Sequence, residues 1–125
     1  MKRLLILLSC ALLPLAAQAR DESKAQIVTM NAKPAECISP VHIYKIDGKN
    51  TFVSPQGFEL DPGAHTMNGR AAINQGNCPS INARSKSLSI PDLKGEFEAG
   101  RTYYVGLDHS SKDRNEWALV VWKVE

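Results

Sequence analysis

A chain of 125 residues, 43% hydrophobic and 22% charged, has room for one core and no second domain. Its formal charge of +2 rests on Lys2 and Arg3, without which thirteen Lys and Arg face thirteen Asp and Glu. A neutral remainder offers no electrostatic attraction to nucleic acid or to an anionic membrane surface, which argues against both as partners.

Met1-Lys2-Arg3 is basic, Leu4 to Ala17 is apolar, and Ala17-Gln18-Ala19 has the small-x-small form of a cleavage site. This order predicts a secretory signal peptide over 1–19 and a single β domain over 20–125, exported to the periplasm or secreted. The apolar stretch is too short to be a permanent anchor and is broken by Pro14, so no integral membrane segment is expected. Leu7-Leu8-Ser9-Cys10 loosely resembles a lipobox, in which Cys10 would carry a lipid. The apolar run continues past Cys10 through Leu15, which favours ordinary cleavage. Loss of Cys10 leaves Cys37 and Cys78, and an oxidising compartment predicts a disulfide between them. Closing a loop of about forty residues stabilises a small domain by up to about 4 kcal/mol. The pair lacks the Cys-x-x-Cys spacing of a redox or zinc site, so its expected role is structural.

Along the chain, residues 20–24 are polar and Gln26 to Met30 is a short β-prone run ended by Pro34. Val41 to Ile46 reads as a strand followed at once by Asp47-Gly48, the strongest short-range signal of a hairpin. Thr51-Phe52-Val53 is the expected return strand. Phe58 to Leu60 leads into the turn Asp61-Pro62-Gly63. Residues 64–74 alternate, with His65, Met67, Ala71 and Ile73 on one face. Residues 74–87 read as a polar loop tethered at Cys78, and Leu88 and Ile90 alternate with serines. Ala99-Gly100 turns into a strand over 101–107. The polar tip 108–116 then joins a last strand over 117–124, which is apolar on both faces and is expected to be central or covered on both sides. Short strands, frequent turns and no sustained 3.6-residue period predict an all-β fold. The expected form is a small antiparallel β-sandwich or open barrel of about seven or eight strands with one disulfide.

Three segments in order carry a resemblance: Ile-Asp-Gly-Lys at 46–49, Leu-Asp-Pro-Gly-Ala-His at 60–65 and Phe-Glu-Ala-Gly-Arg-Thr-Tyr-Tyr-Val at 97–105. Together they resemble the PEGA-type and related small β domains of the bacterial envelope, over residues 41–107. The resemblance implies a non-catalytic envelope β-sandwich. It carries over no catalytic or ligand residue, because the matching positions are turns and core. Cys37, Cys78 and the long 74–87 segment depart from the pattern.

No catalytic residue, cofactor or metal site is expected. Serines occur outside any Gly-x-Ser-x-Gly frame, and the three histidines lack ligand spacing. His65 is expected to face inward and bond backbone near the Pro-Gly turn. Glu96 and Glu98 read as a solvated strand face rather than a carboxylate pair for glycoside hydrolysis. Two features suit binding. Trp117 and Trp122, five apart on one strand, project to opposite faces, so one could serve as an exposed anchor for a glycan or protein. The tip with Asp108, His109, Lys112, Asp113 and Arg114 is long and dense in charge, and could contact a partner. The expected function is a monomeric, exported, non-catalytic binding or structural module whose partner is an envelope protein or glycan. The alternative is an inhibitor or immunity protein acting on a wall-degrading enzyme or toxin.

Overall fold

Alternation along each strand puts one apolar row inward, and these rows pair the chain into two facing sheets. The computed structural model describes residues 21–71, 78–79 and 90–125. The first sheet holds β1 (Ala25–Val28), β2 (Ile38–Ser39), β5 (Gly57–Leu60), β8 (Thr102–Asp108) and β9 (Ala118–Val124). The second holds β3 (Val41–Ile46), β4 (Lys49–Asn50), β6 (Gly63–Ala71) and β7 (Leu93–Phe97), in the order β4-β3-β6-β7. The sheets form an all-β half-barrel. The core between them is built from Ile27, Val41, Ile43, Met67, Phe97, Val105, Leu107, Trp117 and Leu119, all nearly inaccessible. Phe97 and Tyr103 meet edge to face at 4.9 Å inside it.

Strand β8 organises the first sheet. Its first half pairs with β1 and its last two residues with β2, while β9 runs antiparallel along its other side. The β1–β8 pairing is parallel, and every other strand pair is antiparallel. The two-residue hairpin between β3 and β4 follows from Asp47-Gly48. Ile46 and Lys49 pair across it, and Asp47 and Gly48 have φ of 52° and 80°, the two positive values of a type I′ turn.

The disulfide forms between Cys37 and Cys78, as the export argument requires. It fits an oxidising, non-cytoplasmic compartment. No helix among the described residues is long and apolar enough to cross a membrane. Several expectations are corrected. The return strand of the hairpin is Lys49–Asn50 rather than 51–53, because a two-residue turn starts pairing immediately. Strands β2 and β7 were not foreseen: one is two residues long, and the other contains Gly95 and three charged or aromatic positions without a clean apolar face. Strand β9 is an edge of its sheet among the described residues, not a central strand. Its mixed faces arise because Leu119 points to the core while Trp122 packs against Tyr104 on the opposite side. The expected signal peptide, Cys10, the end of the 64–74 alternation and most of the loop and strand over 74–89 lie outside the described residues.

Candidate functional site

The residues expected to form a partner-binding tip are largely occupied with one another. Asp108 accepts the N–H and hydroxyl of Ser110, at 3.0 and 2.6 Å. Ser111 donates its hydroxyl to Glu116 and accepts the Asp113 N–H, and Asp113 in turn caps the 3₁₀ turn Arg114–Glu116 by accepting the Asn115 N–H. The Arg114 guanidinium lies 5.1 Å over the Trp117 ring. Trp117 is 2% exposed and donates its indole N–H to the Ser111 carbonyl at 2.7 Å, so it anchors the loop from below. Trp122 does lie on the opposite face, half-buried, with its ring 5.3 Å from Tyr104. Its indole nitrogen is buried and finds no hydrogen-bond partner among the described residues.

His109 is not at an exposed tip; it is 1% accessible. Its Nδ1 donates to the Pro79 carbonyl at 2.9 Å, which leaves Nε2 to accept the Ser39 hydroxyl at 2.5 Å. Its backbone N–H donates to the Cys37 carbonyl. Ser39 is fully buried, so this Ser–His pair has the distance of a nucleophile dyad without access for a substrate. What it does as placed is fasten the end of β8 to both sides of the disulfide.

His65, expected to face inward near the Pro-Gly turn, is half-buried against Phe97 and bonds the Asp61 carbonyl through Nε2 at 2.6 Å. Its Nδ1 meets the Asp47 carboxylate at 2.6 Å. Both partners are acceptors, so the site favours a proton on each ring nitrogen, the imidazolium form. Its pKa is accordingly raised, first by the Asp47 hydrogen bond. Asp47 is held below the ordinary carboxylate value, first by the Thr66 N–H and then by His65, and Asp61 is held low by Lys24. This cluster ties the β3–β4 hairpin to the turn before β6.

An arrangement with unspent recognition chemistry lies on the outer face of the β3–β6 sheet. His42 and Arg70 are cross-strand partners and therefore share that face. The Arg70 guanidinium sits 5.5 Å over the ring of Tyr44, which is 37% exposed. After Asn50 the chain leaves the ladder, where the Thr51 N–H donates to the Tyr44 carbonyl at 3.0 Å. That departure turns Phe52 into solvent, where it is fully exposed. His42, Tyr44, Asn50, Thr51, Phe52 and Arg70 line a cleft of about 300 Å³. The Thr51 hydroxyl is buried and has no hydrogen-bond partner among the described residues. Arg70 joins none of the ion pairs among the described residues.

Sequence reasoning missed this cleft, because Thr51-Phe52-Val53 looks like half of a buried strand. No group of three or more metal-ligating side chains gathers among the described residues. Glu96 and Glu98 are both exposed, and Glu98 pairs with Arg101. Set against known protein families, curated proteins and solved structures, the chain finds no match.

Proposed function

We propose that this chain is an exported, non-catalytic module of the bacterial envelope that works by binding, with the Phe52–Arg70 cleft as its recognition surface. The observation that carries the reading is Phe52, a large aromatic left wholly in solvent beside a second aromatic and an arginine. Phe52 does not stand alone: with Tyr44 and Arg70 it lines one cleft, and aromatic residues and arginine are enriched where protein surfaces meet. The PEGA-type resemblance of residues 41–107 points to the same kind of module. The disulfide supports export, and the periplasm is the proposed destination.

The test is capture from envelope extract with the disulfide-intact protein, comparing wild type with Phe52→Ala and Tyr44→Ala. Capture that both substitutions abolish supports the reading, and equal capture by all three proteins contradicts it.

One observation favours the inhibitor alternative. The 108–116 loop is fixed by its own hydrogen bonds and by Trp117, and a preorganised loop loses little entropy on docking into an enzyme. Assays of lysozyme-type enzymes and envelope toxins with Lys112→Ala and Asp113→Ala variants separate this reading from the first.

A further inference from the structure

We infer that the ligand of this cleft is an acidic sugar, a pyranose bearing a carboxylate, rather than a neutral glycan or a peptide strand. The inference rests on the binding reading above and assigns its chemistry. The cationic side of the cleft is Arg70, whose guanidinium lies 5.5 Å from the centre of the Tyr44 ring and is joined to no carboxylate among the described residues. A guanidinium without a carboxylate partner presents a planar fork of N–H donors that can take a carboxylate in two parallel hydrogen bonds.

Two further features select a sugar. Phe52 presents a whole ring face to solvent, a surface on which the C–H face of a pyranose can lie. Beside it stands Asn50, whose amide both donates and accepts and so suits ring hydroxyls. A cleft of about 300 Å³ stands at the lower end of small-ligand sites and suits one or two rings.

A peptide strand fits less well. Strand addition needs a long free backbone ladder, but the cleft lies on a sheet face and the edge strand beside it, β4, is two residues long. The Tyr44 carbonyl already accepts the Thr51 N–H, and His42 and Arg70 already face each other across the β3–β6 ladder.

The experiment is a ¹H–¹⁵N chemical-shift titration of the disulfide-intact protein with three probes. These are a short oligomer of a uronic acid, the neutral hexose oligomer of equal length, and an acidic peptide of equal charge. The expected result is that the uronic acid oligomer alone shifts Tyr44, Asn50, Thr51, Phe52 and the Arg70 side chain. Arg70→Ala should weaken that binding about tenfold or more, and Arg70→Lys should recover it only in part. Arg70 is on the surface, so a melting curve matching wild type will show that the variant is folded. Equal shifts with the neutral oligomer or with the peptide would overturn the acidic-sugar assignment. So would no shift with any probe. If envelope capture remained sensitive to Phe52→Ala in either case, the binding reading would survive and only its ligand class would fall.

Discussion

Two surface regions of this molecule behave opposite to what their sequences suggest. The 108–117 segment is dense in charge, and its polar groups bond one another above a buried tryptophan. The 49–52 segment is nearly featureless in sequence, yet it leaves an aromatic in water beside an arginine without a carboxylate partner among the described residues. Charge density in a loop therefore marks self-satisfaction as readily as recognition. A stronger sign of a binding surface is a side chain whose chemistry the fold leaves unused.

Substitutions should separate the two regions. The largest effect belongs to Trp117→Ala, which empties core volume and removes the donor to Ser111; a loss of about 3–5 kcal/mol is expected in denaturant unfolding. Replacing Cys37 and Cys78 together by alanine should cost up to about 4 kcal/mol, read as a lower melting temperature that reductant no longer affects. Ser39→Ala leaves the His109 Nε2 buried without its donor and should cost about 1–3 kcal/mol. If Ser39→Ala proves neutral, the claim that His109 is a structural fastener at the disulfide fails.

A pH scan sharpens the comparison from the other side, because the His65–Asp47 clamp holds the β3–β4 hairpin, from which the chain runs on to Phe52. His65 has a raised pKa, so its contribution is complete below its ordinary value of 6.5 and fades as pH rises through the raised one. Asp47 and Asp61 have lowered pKa values, so their contributions are complete above 3.8 and fade as pH falls through the lowered ones. The cluster therefore supports the fold fully between about pH 4 and 6.5. Melting temperature should decline on the alkaline side of that window in wild type, and Asp47→Asn should show a shallower decline there. The smallest stability effect is expected at Phe52→Ala, within about 0.5 kcal/mol, although this substitution should abolish ligand capture.

The sequence shows best what local chemistry dictates. The strand over 41–46 and the Asp47-Gly48 turn were legible to the residue, because alternation and positive φ are encoded in adjacent positions. The disulfide followed from the expected export and a count of cysteines. The parallel pairing of β1 with β8 and the edge position of β9 were not legible, since both depend on partners over 70 and about 15 residues away in the chain. The site failed for the same reason. Tyr44, Phe52 and Arg70 come from three segments, and only the early exit of the chain after Asn50 separates a solvent-facing phenylalanine from a core one. His109 was misread as exposed because a polar run hides a residue whose burial is set by the distant Ser39 and Pro79.

The most direct test of the central claim is where a bound ligand falls on the molecule. Uniformly ¹⁵N-labelled protein titrated with fractionated envelope extract should show shifts gathered at His42, Tyr44, 50–52 and Arg70, with 108–116 unmoved. Shifts gathered at 108–116 with the cleft silent would contradict the account and transfer recognition to the loop.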